Sequence, residues 1–502
     1  MKRREFFRLG AAGVAGATLS SFGLTGCDSF LDPEVHSQLA PENYLNTEAG
    51  LVSTLGAAYS ASEFIASYWM NNISGWTTDI AWETGGGLNR VAVPIINFTW
   101  STSAYSRSYT GNYDAIRNAN IVLENAGRPD ISSEQEAMLR AEARFVRAFS
   151  YVNQYLLFGP VPLRTSTEQE QELPRATDEE MRSFIEQELL EVIPNLPAPG
   201  EQPAYGRATN GAARGRLAKF YLHTKQWQKA ADMAQEVIDM NAYGLYPDHL
   251  DMFKVQNEGN EEMVWAFTAR PENPATGNNW MNGAFPPRFQ SHPRTGLEWQ
   301  DNWANWAAQW RLRDRFVNSF EEGDERMRAI IREYVNMDGE MVNLEADVDN
   351  CRSFKFWPDP AAVGRHGNDI PVIRYADILL SRAEALNELQ GPNQESIDLI
   401  NEVRSRAEVA DIALSSFGSK QSLRDHLVME RAWEFHSEGH RRKDLIRMGK
   451  FIEGTVSLQR TGKIEIGAQS RGIESAQEYH RLFPIPQSAI DSNPALEQNP
   501  GY

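Results

Sequence analysis

The sequence predicts a mostly α-helical fold built from stacked pairs of short helices, and three observations carry that expectation. First, Arg214-x-x-Leu217-Ala218-x-x-Tyr221, followed by Ala230 and Ala234, has the spacing of both helices of a tetratricopeptide repeat, with Thr224 to Trp227 as the turn. The spacing returns in Val52-x-x-Leu55-Gly56-x-x-Tyr59 and, more weakly, in Ala148-x-x-Tyr151. Small residues let paired helices approach while the tyrosine fills the next layer, so the pattern describes how helix pairs stack. Second, residues 112–125, 133–157, 183–193, 373–389 and 394–407 carry helical apolar periodicity, and Gly159-Pro160, Pro194 and Gly391-Pro392 stop three of them. Third, two long stretches, 68–109 and 271–315, interrupt this scaffold with Gly, Pro, Asn and tryptophan, which predicts a loop-rich region laid over the repeats.

The chain has 502 residues, 41% apolar and 10% aromatic, which is the composition of a folded protein rather than a disordered one. Its formal charge of -19 argues against nucleic acid and anionic lipid surfaces as partners, because both require basic patches. Two cysteines, Cys27 and Cys351, are too few for a disulfide framework or a cysteine-based zinc site.

Residues 1–26 read as a signal peptide. Arg3-Arg4-Glu5-Phe6-Phe7 is a twin-arginine pattern, Leu9 to Ser21 is weakly apolar, and Leu24-Thr25-Gly26-Cys27 resembles a lipoprotein processing box. Cleavage there would free Cys27 for lipid attachment, and acyl chains contribute roughly 0.8 kcal/mol per buried CH2, so several of them anchor firmly without a spanning helix. Residues 27–40 then form a lipidated tether. No other stretch is long and apolar enough to cross a bilayer.

The two interruptions hold the candidate binding residues. Within 68–109 lie Trp69, Trp76, Trp82 and Trp100, without helical period, among Gly85-Gly86-Gly87 and polar residues. Indoles exposed on polar loops stack on the apolar C–H face of a pyranose, and neighbours such as Asp79, Arg90 and Asn97 would bind its hydroxyls with orientation. Further along, Trp299, Trp303, Trp306 and Trp310 fall at i, i+4, i+7 and i+11, one face of a helix; ordinary core packing accounts for such a face without a ligand. The candidate contacts are therefore Trp76, Asp79, Trp82, Arg90, Asn97, Trp100, Tyr105, Trp280, Trp299 and Trp303.

Val335 to Val342 predicts a β-hairpin turning at Asp338-Gly339, with Cys351 nearby as a small apolar group. Glu345, Asp347 and Asp349 alternate without the glycine and distal glutamate of a calcium loop, and read as a solvated turn or strand face. No phosphate-loop, dinucleotide or nucleophile-elbow motif is present, and the sequence calls for no cofactor.

Gln421 to Gly449 reads as a buried helix whose narrow polar stripe carries Glu430, Glu434 and Glu438, like charges that disfavour an isolated helix at this spacing. Cationic partners are required. Arg431, Arg441, Arg442 and Arg447 are the near candidates, with Arg374 and Arg382 the distant ones. His436 and His440 also stand four apart, but Glu438 projects about 200° away from His436 and Gly439 interrupts the turn, so an ion-pair network is preferred over a metal site or catalytic carboxylates.

The run Glu430-Arg431-x-x-Glu434-x-x-x-Glu438-Gly439-His440-Arg441-x-x-Asp444-Leu445 resembles the SusD/RagB family of nutrient-uptake lipoproteins. So do Cys27-x-x-Phe30-Leu31-Asp32, helices 112–125 and 133–157 with Gly159-Pro160-Val161-Pro162-Leu163, Phe316-Val317-x-x-Phe320-x-x-x-Asp324-x-Arg326, Ile373 to Leu389, and the closing Arg481-Leu482-Phe483-Pro484-Ile485-Pro486-Gln487. The twin-arginine start departs from the usual pattern. The resemblance implies four tetratricopeptide-like helix pairs and a lipid-anchored outer-membrane protein facing the exterior. It further implies capture of a nutrient oligomer, usually a glycan, for a TonB-dependent SusC-like transporter, with no bond made or broken and hence no catalytic residue.

On this reading residues 41–270 form an N-terminal helical-repeat region containing the aromatic loop 68–109. Residues 271–502 form a C-terminal region with a loop and β insert over 271–370 and helices over 373–449. Three other readings stay open: a peptide-capturing lipoprotein of the same family, an all-helical glycoside hydrolase using an Asp/Glu pair, and a repeat adaptor for proteins.

Overall fold

Local chemistry sets the helix starts. Ser132 accepts from the Gln135 N–H while the Gln135 side chain returns to the Ser132 N–H, and Thr177 with Glu180 and Ser419 with Ser422 close the same reciprocal box. The computed structural model describes residues 44–64, 71–83, 94–103, 105–273, 276–306, 310–452 and 476–502. The expected signal peptide, Cys27 and the tether lie outside the described residues.

The first helices are α1 (Glu48–Phe64), α2 (Asn71–Trp76), α3 (Ser106–Asn125), α4 (Ser133–Phe158), α5 (Asp178–Val192), α6 (Asn210–His223) and α7 (Trp227–Asp239). Within the insert lies α8 (Trp280–Ala284), and after it come α9 (Tyr375–Gln390), α10 (Gln394–Arg406), α11 (Lys420–Phe435) and α12 (Arg441–Arg447). Packed neighbours among them are α1 with α3, α4 with α5, α6 with α7 and α9 with α10, and the stack continues as α3 on α4, α5 on α6 and α7 on α9. Leu217, Ala218 and Tyr221 of α6 and Ala230 and Ala234 of α7 are all buried, so the repeat spacing marks the packed faces. Among the described residues no helix is long and apolar enough to cross a membrane.

The strands are short: β1 (Ala81–Glu83), β2 (Met263–Phe267), β3 (Phe289–His292), β4 (Leu297–Glu298), β5 (Trp310–Leu312), β6 (Ile330–Ile331), β7 (Glu333–Asn336), β8 (Met341–Asn343), β9 (Arg352–Ser353) and β10 (Ile370–Arg374). They pair antiparallel as β1 with β5, β2 with β10, β6 with β9, and in the order β4-β3-β7-β8. The expected hairpin is β7–β8, with Tyr334 opposite Val342 and Gly339 at φ +81 in the turn.

Three expectations about elements need correction. Residues 299–306 form turns and extended chain instead of a helix face, and Trp310 stands on β5, because tertiary packing on Phe285 and Trp280, not a helical repeat, gathers the rings. Stretch 68–109 is not loop throughout: it contains α2 and β1, and α3 begins at Ser106 rather than Asn112. The glutamate helix stops at Phe435, since Ser437 and Gly439 take φ of 68 and 79, and α12 resumes at Arg441.

The glutamate stripe is buried, and its partners come from far along the chain. Arg326 and Arg404 donate to the two oxygens of Glu430 at 2.6 and 2.9 Å. Arg374 and Arg406 donate to Glu434 at 3.0 and 2.5 Å, and both also reach Glu262. Glu438 accepts from Arg374 and from Lys355 at 2.6 Å. Of the expected partners only Arg374 takes part. Arg431 pairs with Asp377 and Asp444, Arg447 with Glu384 and Asp444, Arg441 with Asp79 and Arg382 with Glu395, while Arg442 donates to the carbonyls of His480 and Arg481. Burial opposes ionisation of Glu430, yet Arg326 and Arg404 outweigh it and hold the carboxyl at about 2.

Candidate functional site

The site is assembled where the two tryptophan-rich stretches meet. Strand β1 pairs with β5 so that Trp82 faces Arg311 and Glu83 faces Trp310. The Trp82 indole donates to the Asp349 carbonyl at 2.8 Å, and the Arg311 and Arg313 guanidiniums lie over its ring at 5.4 and 5.9 Å. Asp349 is itself buried and accepts from the Asp314 N–H and from Arg313, so the solvated role expected for it fails.

From β5 an aromatic seam runs through the insert. Trp310 meets Trp280 at 5.1 Å and Trp306 at 6.2 Å, and a Cβ on Gly283 would fall 2.4 Å from the Trp310 ring, so only glycine lets α8 approach so closely. Phe285 stacks on Trp303 at 5.4 Å and meets Trp299 edge-on at 5.2 Å. Buried indoles find acceptors, Trp280 on the Ser353 carbonyl and Trp303 on the Asp359 carbonyl. Trp299 and Trp306, in contrast, are only half-buried.

Glu83 lies at one end of this seam. It is fully buried, neither oxygen has a hydrogen-bond donor among the described residues, and burial pushes its carboxyl up to about 8 against the opposing pull of Arg311. The group is therefore a neutral acid at pH 7, able to donate a hydrogen bond.

The structure does not gather all the expected contacts. Trp82, Trp280, Trp299 and Trp303 belong to the seam or its β1–β5 edge. Trp100 instead donates to the Tyr502 hydroxyl at 2.9 Å and packs on Phe98, His480 and Phe483, while Tyr105 stacks on Phe483 at 3.7 Å. Those two rings anchor the C-terminal tail. Trp76 is buried at the end of α2, and Asp79 accepts from Nε and Nη2 of Arg441. Asn97 is half-buried beside Phe98, and Arg90 lies outside the described residues. The picture of exposed indoles on loop 68–109 is thus corrected for Trp76, Trp82 and Trp100: a large apolar ring is most stabilising when removed from water, and the loop folds to bury it. Trp306 and Glu83 were absent from the expected set. Trp306 shared the run of its neighbours, but no sequence signal separates the half-exposed ring from the buried ones.

Elsewhere, a cleft of about 760 Å³ opens beside β3, lined by Lys254, His292, Phe320, Glu322, Arg328 and Trp357 among others. Burial pulls the His292 imidazole down to about 4, so it is neutral there. Among the described residues no group of three His, Cys, Asp or Glu side chains is placed to hold a metal. His436 Nδ1–H donates to the Trp433 carbonyl and His440 approaches Lys219, so they share no site.

Residues 353–502 match the SusD family, and residues 29–222 match a SusD-like family described as starch-binding and associating with the outer membrane. The chain belongs to the SusD family. Among its SusD-family relatives, SusD-like protein P25 of Formosa agariphila is 26% identical, with 96% of this chain and 97% of that one covered. The starch-binding protein SusD of Bacteroides thetaiotaomicron is 24% identical over 84% of this chain and 82% of its own. The fold is also that of a laminarin-binding SusD-like protein (TM-score 0.74, 24% identity, 91% of this chain and 100% of that one). Surface glycan-binding protein A from Bacteroides thetaiotaomicron, solved with laminarihexaose, has TM-score 0.73 at 20% identity, covering 90% and 99%. The helix pairs of this chain are the tetratricopeptide-like scaffold of that SusD fold.

Proposed function

We propose that this protein binds a glycan oligomer at the bacterial surface and delivers it to a TonB-dependent SusC-like transporter, making and breaking no bond. The observation that carries the reading is kinship along most of the chain with a protein described as starch-binding, in a family described as associating with the outer membrane. The half-buried Trp299 and Trp306, packed on Phe285 and Trp310, are the residues on which a pyranose would stack. Lipid on Cys27 anchors the protein to the outer membrane, facing outward, and the tether lets it sit over the transporter mouth. No resident cofactor takes part.

Calorimetry of the protein from Asp28 onward against a panel of polysaccharides and peptides, with product analysis of every hit, tests this. Binding of a glycan without new reducing ends supports a capture protein. Release of reducing ends makes it a glycoside hydrolase, and binding of peptides alone makes it a peptide-capturing relative. Co-purification of the lipidated protein with a TonB-dependent barrel tests the delivery step.

A further inference from the structure

A second feature lies away from the aromatic seam, where α4, α6 and β10 meet the start of α12. A recess of about 40 Å³ is lined there by Phe149, Asn153, Arg216, Val372, His440 and Lys443 among others. That volume is close to the roughly 30 Å³ share of a single water, which excludes a sugar ring.

The recess carries unmatched positive charge. Arg216 is 3% exposed; its Nη2 donates to Asn153 at 3.0 Å and its plane lies over Phe149 at 4.5 Å. Its Nε has no acceptor among the described residues. Lys443 is half-buried and has no hydrogen-bond or ion-pair partner among them either. The neighbouring acids are already taken: Asp377 by Lys219 and Arg431, Asp444 by Arg431 and Arg447, Glu384 by Arg447, and Glu438 by Lys355 and Arg374. His440 is kept neutral by burial and by Lys219. Arg216 and Lys443 thus share a partly desolvated recess without a carboxylate of their own, an arrangement that water satisfies in hydrogen bonds but not in charge.

We propose that this recess binds one small monovalent anion of halide size, with Arg216 Nε and the Lys443 ammonium as its donors. The anion is a counter-ion that locks the repeat scaffold to the segment carrying Glu438 and His440. Burial, Lys219 and Arg216 pull the Lys443 ammonium down to about 7, and a bound anion would return it to the charged form.

The test has two arms. Crystals soaked in bromide should show an anomalous peak about 3.3 Å from Arg216 Nε. In solution, replacing gluconate by chloride at constant ionic strength should raise Tm saturably by about 1 to 3 °C. Lys443→Gln, at a half-buried position, should lose that chloride dependence, and Arg216→Gln should lose it as well if it folds. Absence of the bromide peak, a peak without chloride-dependent melting, or an equal chloride effect in Lys443→Gln would each overturn the proposal.

Discussion

Arg374 holds Glu438 by two parallel hydrogen bonds, Nε to Oε2 at 2.7 Å and Nη2 to Oε1 at 2.8 Å, across 64 residues of chain. The same guanidinium reaches Glu434 and Glu262, so one side chain at the end of β10 ties α11 and the turn after it to the sheet. Paired acids and bases neutralise each other in this core, and their geometry fixes where the glutamate helix sits.

Arg374→Met should therefore destabilise the fold by about 3 to 5 kcal/mol, because three buried carboxylates lose a shared partner while Lys355 and Arg406 cover them only in part. Urea denaturation at pH 7 measures it. A loss below about 1 kcal/mol would mean that the carboxylates repartner or protonate at little cost.

Acid should weaken the fold through Glu430. Its folded value near 2 lies below the ordinary 4.5, so its stabilisation is complete above pH 4.5 and is lost as pH falls toward 2, an effect of about 3 kcal/mol. Glu430→Gln should be less stable than wild type at pH 7 and should show a shallower decline between pH 4.5 and 2 in denaturant melts.

Glu83 should act in the opposite sense. Its folded value near 8 means that the native state keeps a proton which the unfolded chain releases above 4.5, so stability falls as pH rises from 4.5 to 8. Glu83→Gln carries no such penalty, and at pH 8.5 it should exceed wild type by about 2 to 4 kcal/mol while matching it at pH 4. Equal pH profiles would place a cation on Glu83.

Trp100 and Trp306 should separate folding from binding. Trp100→Ala removes a buried ring and the contact to Tyr502, and should cost about 3 to 5 kcal/mol in stability without changing the glycan affinity of the folded protein. Trp306→Ala should leave stability within about 1 kcal/mol and weaken glycan binding about tenfold or more. Thermal melts and calorimetry on the two variants check both; an unaltered affinity in Trp306→Ala would remove that ring from the site.

The scaffold was legible because helical period and repeat spacing are local: Leu217, Ala218, Tyr221, Ala230 and Ala234 need only their own chain neighbours to declare a packed pair. The need for cations opposite Glu430, Glu434 and Glu438 was equally plain, since buried like charges demand it. Which cations answer was not, for Arg326, Arg374 and Lys355 arrive from the insert and β10. Only Arg374 among them stood in the expected set.

By itself the sequence determined the repeat architecture, the β7–β8 hairpin and the charge balance the core must satisfy. Tertiary structure alone decided which tryptophans are fully buried and which are only half-buried. A ring stabilises by burying area wherever a cavity of its shape exists, and that cavity is formed by residues remote in the chain: the C-terminal tail for Trp100, and α8 with its Gly283 for Trp310.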